Sequence, residues 1–424
     1  MVYEIYSAAA TLASPILWAG LRFSGRHRGL LERFRPSAPP AARGKRPVWI
    51  HACSVGEVNT AAPIVQAIHR RFEGLPVVVT TSTAAGRALA VERFGAENVS
   101  FLPWDIPANV RAFIARMNPA AMLLIETELW PAVIHECSRF GVPVAIVNGR
   151  LSDRHVRRYR MIRPLLREVF AHIEVFAMQT EMYASRARFL GAPSSCVHVT
   201  GNTKFDAAPA PRDSAILAAL RNEIGLEAGD LSIVFGSTRP GDEALAGRTY
   251  RELRETYPRL KIVIAPRHVE RADEAAQEFK GPVARLSRIR AGAERPDGAV
   301  LVDTHGELAN VYALASVAVI GGSFYDGVEG HNPIEPAALG VPVVFGPHMR
   351  NFADPAQILV DAGAASQCGS AEELGTVLRY LLDDADRRRA MGERGVSTVL
   401  ANQGATARTL DLIAPLLSVR AATT

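Results

Sequence analysis

The sequence predicts an α/β protein built from two doubly wound, Rossmann-like domains, and three observations carry that reading. Short runs rich in Val, Ile, Leu and Ala recur along the chain, with helix-length segments between them. The runs are continuously apolar rather than alternating, so each strand is expected to be covered on both faces, as in a parallel sheet. The chain has 424 residues, well beyond the ~250–300 at which a single core stops growing, so two such sets mean two domains.

The first element in the chain is of another kind. No charged residue occurs from Ile5 to Leu21, and Tyr3, Tyr6 and Trp18 suit a membrane interface. The run is slightly shorter than the ~20 residues of a spanning helix, and it contains Pro15. Only Glu4 precedes it, whereas a signal peptide starts with positive charge. The positive charge follows instead, as Arg22, Arg26, Arg28, Arg33, Arg35, Arg43, Lys45 and Arg46 against Glu32. The positive-inside rule then keeps the rest of the chain in the cytoplasm, and such a stretch favours anionic lipid. Residues 1–22 are therefore expected to be a membrane anchor or membrane-associating helix, spanning or lying flat. The alternative is an amphipathic helix packed on the protein's own surface.

The first domain, 23–207, is expected to place strands at 48–51, 77–80, 121–125, 144–147 and 175–178. The second, 208–424, is expected to place them at 232–235, 261–265, 300–302, 317–320 and 341–345. The stretch 205–212, with Ala-Ala-Pro-Ala-Pro, reads as a linker. In such sheets ligands bind beyond the carboxyl ends of the strands, and a cleft between the domains is the expected site.

Composition narrows the class. Hydrophobic residues make up 48% and charged residues 21%, which excludes disorder. The net charge of +5 is mild, and no nucleic-acid partner is expected. Neither GxxxxGK[ST] nor a post-strand GxGxxG occurs, which argues against an NTPase or a dehydrogenase. Cys53, Cys137, Cys196 and Cys368 lie far apart without zinc spacing, so a reducing compartment and no metal are expected. His51 and Cys53 share one side of a strand and are expected to pack. Asp384 and Asp386, followed by Arg387, Arg388 and Arg389, read as a solvated helix face rather than a metal–diphosphate site.

The residues after the strands are more informative. Ala-Cys-Ser54-Val55-Gly56-Glu57 follows the first strand and opens a helix. A carboxylate at that position is favoured by the helix dipole, so capping alone accounts for many such glutamates. Glu126-Thr127-Glu128-Leu129-Trp130-Pro131 follows the third. Two carboxylates at the tip of a buried strand cost desolvation energy unless something binds there. Gly201-Asn202-Thr203-Lys204 brings a lysine to the end of the first domain. In the second domain Pro266-Arg267-His268 follows a strand, and Thr304-His305-Gly306-Glu307-Leu308 opens a helix. Gly321-Gly322-Ser323-Phe324 follows another strand, and Gly330-His331-Asn332-Pro333-Ile334-Glu335-Pro336 leads into a helix. Gly-rich turns before helices bind anions through free N–H groups, arginine supplies a fork for phosphate, and glutamate accepts from ribose hydroxyls. Their convergence points to a nucleotide-sugar site. At this level a UDP-sugar transferase or epimerase, and a non-catalytic sugar-nucleotide binder, remain open.

HACSVGEV, ETELWP, NGRLSDR, GNTKFD, APRHVER, DTHGEL, GGSF and GHNPIEPAALGVPVVFGP, with the apolar start, resemble the 3-deoxy-D-manno-octulosonic acid (Kdo) transferase family of lipid A biosynthesis. The match runs in order over nearly the whole chain. The resemblance implies the GT-B fold, CMP-Kdo as donor, a lipid A precursor as acceptor, and inverting transfer with no metal or other cofactor. It also implies a place in lipopolysaccharide biosynthesis at the cytoplasmic face of the inner membrane of a Gram-negative bacterium. By motif, Glu57 matches the family's catalytic base, and Glu126 and Lys204 match groups that support the transition state. Pro266, Arg267, Gly306, Glu307, Leu308, Asn332, Pro333, Ile334 and Glu335 match its CMP-binding segments. Two positions depart from the pattern: Glu329-Gly330 stands where Gly-Gly is frequent, and His305 replaces a commoner apolar residue.

One charge cluster remains. Arg150, Arg154, Arg157, Arg158, Arg160, Arg163 and Arg167 gather in the first domain, with Asp153 and Glu168 as the nearby acids. They form either a solvated helix face or a contact with membrane or acceptor phosphates.

Overall fold

The computed structural model describes residues 2–24, 28–209, 213–294 and 297–418; Arg26 and the end of the expected linker, 210–212, lie outside them. The chain forms two compact units. One comprises Met1–Ala207 with Gln403–Thr424, and the other Ala208–Asn402.

The first unit carries a parallel sheet of seven strands: β1 Val48–His51, β2 Val77–Thr81, β3 Val99–Phe101, β4 Ala121–Ile125, β5 Val144–Gly149, β6 Val175–Met178 and β7 Val197–Val199. Their order is β3-β2-β1-β4-β5-β6-β7. The chain starts at β1, winds outward to β3, then returns to β4 on the other side of β1. The carboxyl ends of β1 and β4 therefore form the switch point, where a doubly wound sheet opens a crevice. Successive residues of β1 feed opposite cores, because side chains alternate across a strand. Trp49 joins Phe113, Phe170 and Phe176 on one face. Val48 and Ile50 join Ile64, Leu123 and Ile125 on the other.

That second face is closed by the helix Ala405–Ser418, through Leu410, Ile413 and Leu417. Asp206 caps its entry, accepting from the N–H groups of Gly404 (2.6 Å) and Thr406 (2.5 Å). Arg408 Nε donates to the Thr200 carbonyl at 2.8 Å. The second domain was expected to run from 208 to 424, but the chain from Gln403 onward belongs to the first unit. An amphipathic helix carries an apolar face in its sequence, not the address of the sheet it covers.

The second unit repeats the plan with β8 Ser232–Thr238, β9 Lys261–Pro266, β10 Ala284–Arg285, β11 Ala299–Leu301, β12 Val317–Ile320, β13 Val343–Phe345 and β14 Ala365–Gln367. The order is β10-β11-β9-β8-β12-β13-β14, again parallel, with its switch point between β8 and β12. The strands absent from the sequence expectation are β3, β7, β10 and β14, which are the four sheet edges. Each has three residues or fewer. Edge strands are covered less completely, so they lack the long apolar run that marks a central strand.

The apolar N-terminus forms the helix Val2–Phe23. Tyr3 is buried and stacks on His135 at 3.7 Å, and Tyr6 Oη donates to Asp105 at 2.5 Å. Both tyrosines expected at a membrane interface thus face the protein. Ile5, Leu12, Ile16, Trp18 and Phe23 remain exposed, Leu12 to 78% and Phe23 to 86%. Among the described residues no helix is long and apolar enough to cross a membrane. Arg33, expected in the basic juxtamembrane stretch, is instead buried. Its Nε donates to the Leu102 carbonyl at 2.9 Å, and its guanidinium stacks 3.9 Å from the Trp104 ring centre.

Candidate active site

In the first unit the switch point collects three carboxylates. Glu57 lies in the first turn of the helix Val55–Arg71, three residues after the N-cap Ser54. Its carboxylate accepts from Cys53 N–H at 2.7 Å and from Ser54 Oγ at 3.2 Å. The carboxylate thus ties the first turn of the helix back to the chain that enters it. Burial, then the charges of Glu128 and Glu126, push its proton affinity far above the usual carboxylate range.

Glu126 directly follows β4 with a φ of +59°, a left-handed conformation uncommon outside glycine. Such strain persists only where the surroundings fix it. Thr60 Oγ1 donates to Glu126 at 3.3 Å, and Lys204 Nζ pairs with it, also at 3.3 Å. Lys204 is set by a buried amide network. Gln179 donates to the Asn148 carbonyl (2.9 Å), and Asn202 donates to Gln179 (3.1 Å). Asn148 Oδ1 accepts from Thr203 N–H (3.0 Å), and Asn202 Oδ1 from Lys204 N–H (3.0 Å). The structure thus brings together Glu57, Glu126 and Lys204.

It also adds a residue to which the sequence assigned no role. Glu128 accepts from Trp130 Nε1 at 2.9 Å and lies 3.8 Å from His51 Nε2. Burial raises its proton affinity, but the polar neighbours His51, Trp130 and Cys53 outweigh that and bring it below the usual carboxylate range. His51, Cys53 and Glu128 offer ligand-type atoms within 4.8 Å of one another. Burial, then Glu128 and Glu57, pushes the Cys53 thiol up to about 12. Behind this group the helix Pro131–Arg139 is capped from a distance, its Ala132 and Val133 N–H groups donating to Asp105 at 3.0 and 2.9 Å.

In the second unit Arg267 directly follows β9, its N–H donating to the Thr238 carbonyl at 3.1 Å. Beside it stands Arg239, just past the end of β8 and not singled out from the sequence. Arg239 Nε donates to His331 Nε2 at 3.3 Å. Burial, then Arg239, Arg267 and His268, push His331 down to about 3, so it is a neutral acceptor. Ser237, with φ +56°, turns the chain there, and Asp242 locks the turn by accepting from Arg239 N–H (2.8 Å) and Gly322 N–H (2.7 Å). Gly321 is required: a Cβ would meet the Ser237 carbonyl oxygen at 2.5 Å.

The remaining predicted nucleotide residues occupy two further turns. Asn332 Nδ2 donates to Glu335 at 3.1 Å, and its Oδ1 caps Ile334 N–H at 3.1 Å after Pro333. Gly306 has a φ of +81°, and Glu307 precedes Leu308 at the start of the helix Leu308–Ala313. Glu307 is tied to Arg290 at 2.8 Å rather than to the arginines at the switch point.

Two parallel α/β units, each with charged residues at the switch point of its sheet, define the class of two-domain GT-B-like glycosyltransferases. The solved structure of a glycosyltransferase from Rickettsia africae has this fold, with a TM-score of 0.57 over 88% of this chain and 99% of that one at 10% identity. A family model described as 3-deoxy-D-manno-octulosonic-acid transferase (kdotransferase) matches residues 28–207. The 3-deoxy-D-manno-octulosonic acid transferase of Bordetella pertussis is 36% identical, covering 96% of this chain and 98% of its own. That of Haemophilus influenzae is 32% identical, covering 87% of each. The chain belongs to the Kdo transferase family and is a glycosyltransferase that uses a sugar-nucleotide donor.

Proposed function

We propose that this enzyme moves Kdo from CMP-Kdo onto a hydroxyl of a lipid A precursor, with inversion and without a metal ion. The setting is lipopolysaccharide biosynthesis at the cytoplasmic face of the inner membrane. The observation that carries the reading is Glu57, a desolvated carboxylate at the β1–β4 switch point with Glu126 and Lys204 beside it.

A sugar hydroxyl is a poor nucleophile, and a positioned carboxylate can take its proton as attack proceeds. Ionised Glu57 takes the proton while the hydroxyl oxygen bonds to the anomeric carbon of Kdo. The bond from that carbon to the CMP phosphate oxygen breaks on the opposite face, and its electron pair leaves with CMP. The transition state is oxocarbenium-like, as in glycoside hydrolysis. Charge gathers on the departing phosphate, where Arg267 and Arg239 supply positive charge and need no metal to do so. Lys204, paired with Glu126, balances the anionic donor.

Two surfaces support the membrane setting. The N-terminal helix exposes Leu12, Ile16, Trp18 and Phe23. On the segment 153–170, Arg154, Arg157, Arg158, Arg160 and Arg163 are exposed around Met161, which is itself 85% exposed. Apolar side chains flanked by arginines suit an anionic lipid interface.

The test is incubation with CMP-Kdo and a lipid A precursor, with mass spectrometry of the lipid, for the native enzyme and Glu57→Gln. The native enzyme adds Kdo mass increments. Glu57→Gln can keep the bond from Cys53 N–H but loses the base, so its rate falls about 10²–10⁴-fold with folding and CMP binding retained. Near-native turnover with a lowered melting temperature would reduce Glu57 to a helix cap.

A further inference from the structure

The segment that follows β4, from Glu126 to Trp130, carries two of the switch-point carboxylates and is fastened at both ends. Upstream, β4 lies in mid-sheet between β1 and β5. Downstream, the segment runs into the helix Pro131–Arg139, and the N-cap Trp130 offers its first turn no side-chain acceptor. The first N–H groups of a helix need acceptors from elsewhere. Here Asp105, in the turn after β3, supplies both carboxylate oxygens: Oδ2 accepts from Ala132 N–H at 3.0 Å and Oδ1 from Val133 N–H at 2.9 Å. Asp105 is buried, and its Oδ2 also accepts from Tyr6 Oη at 2.5 Å, a donor that comes from the N-terminal helix Val2–Phe23. Arg33 braces the same segment from the side. Its guanidinium lies 3.9 Å from the Trp104 ring centre and 5.5 Å from that of Trp130, and its Nη1 donates to the Ser82 carbonyl at 3.4 Å. Trp130 in turn donates its indole N–H to Glu128 at 2.9 Å. Tyr6 is therefore linked through Asp105 to the segment that holds Glu126 and Glu128.

Glu126 holds its left-handed φ of +59° at the head of this segment, a conformation that persists only where the surroundings fix it. We propose that Tyr6 and Asp105 are positioning residues for sugar transfer: by clamping the start of the helix Pro131–Arg139 they hold the segment behind Glu126, and so keep its carboxylate against Lys204. The inference rests on the reading of Glu126 and Lys204 as groups that support the transition state. It gives the N-terminal helix a part in the chemistry that is separate from any hold on lipid, because Tyr6 faces the protein while Leu12, Ile16 and Phe23 are exposed. Without the Tyr6 hydroxyl, buried Asp105 loses a donor, which is costly. The clamp loosens, and the left-handed turn at Glu126 is free to relax. The pairing of Glu126 with Lys204 at 3.3 Å is then no longer held in one arrangement. A displacement of about 1 Å at a reacting centre costs up to ~10²-fold in rate. Donor binding is untouched, since the residues proposed to hold CMP lie in the second unit.

The test uses the full chain with CMP-Kdo and a lipid A precursor dispersed in detergent micelles at saturation, so that attachment to a bilayer drops out. Tyr6→Phe, which deletes one hydroxyl, lowers kcat about tenfold and leaves the KM for CMP-Kdo and binding to anionic vesicles unchanged. Asp105→Asn, which removes an acceptor from the clamp itself, lowers kcat further with the same split. If Asp105→Asn does not fold, Tyr6→Phe carries the test alone. A readout independent of turnover is the ¹⁹F spectrum of the fluorotryptophan-labelled protein, with the Trp130 signal identified by its loss in Trp130→Phe. That signal shifts in Tyr6→Phe, and the signal of Trp49, inside the sheet, does not. A near-native kcat in Tyr6→Phe overturns the proposal, as does an unmoved Trp130 signal or a loss of rate that only follows the fraction of folded protein. A native enzyme that transfers no Kdo sinks the function reading instead, and the Trp130 signal still reports whether Tyr6 reaches the segment.

Discussion

At the scale of single residues, electrostatic tension marks the donor side. Arg239 is partly buried beside Arg267, and burial, then Arg267 and Arg271, lower its proton affinity. Like charges brought together out of water are costly, and an anion between them relieves the cost. Arg271 is already neutralised by Glu243 (3.3 Å) and Glu274 (3.0 Å), which leaves Arg239 and Arg267 as the cations proposed for the donor phosphate. Arg239→Ala and Arg267→Ala should each weaken CMP binding about ten- to a hundredfold, the loss of a charge-assisted hydrogen bond worth roughly 1.5–3 kcal/mol. Calorimetry showing native CMP affinity in both variants would remove the nucleotide from this switch point. Arg267 was legible because it directly follows a long apolar strand. Arg239 was not, although Gly236-Ser237-Thr238-Arg239-Pro240-Gly241 is itself a Gly-rich post-strand turn. The register shift of β8 between Gly236 and Thr238 carries the strand past its apolar run and hides where it ends.

At the scale of elements, the N-terminal helix has two jobs at its two ends. Its first turn is bound to the protein by Tyr3 on His135 and by Tyr6 on Asp105, the residue that also caps the helix behind Glu128 and Trp130. Its remainder exposes an apolar surface with nowhere to go in water. Removing residues 1–22 should therefore lower binding to anionic lipid vesicles and also lower the melting temperature, because Asp105 and His135 lose their cover. CMP affinity should not change, since the residues proposed to hold CMP lie in the other unit. Vesicle partitioning equal to that of the full chain would defeat the membrane role. The sequence announced the apolar run but not the direction of its tyrosines: an amphipathic tip has the same residues whether it meets lipid or a protein groove.

For the molecule as a whole, the path of the chain matters more than the order of motifs. The second unit is a single stretch, Ala208–Asn402, after which the chain returns to the first. The returning helix buries Leu410, Ile413 and Leu417 in the cluster that also holds Ile64, Ala145, Val175 and Ala177. At about 1.5–3 kcal/mol per fully buried side chain, these three alone are worth on the order of 5 kcal/mol, comparable with the ~5–15 kcal/mol stability of a whole domain. Ending the chain at Asn402 should therefore unfold or aggregate the first unit. In thermal denaturation the transition of the second unit should persist. A truncated chain with an unshifted first transition would show that the helix is dispensable.

What the sequence determined by itself was whatever is written locally. The central strands β1, β2, β4, β5, β6, β8, β9, β11, β12 and β13 are apolar because both of their faces are covered, so they are legible one at a time. The site residues that follow those strands were legible for the same reason: a doubly wound sheet puts its chemistry at strand ends, and SVGE, ETE and PRH stand there. Tertiary structure alone decided the edge strands, the return of the last helix to the first sheet, and the burial of Arg33 against Trp104. It also decided the convergence of His51, Cys53, Glu57, Glu126 and Glu128 on one switch point. Pairing register, the choice of partner sheet and the mutual charge of side chains far apart in sequence are properties of distances in space. A reading of neighbours along the chain contains none of those distances.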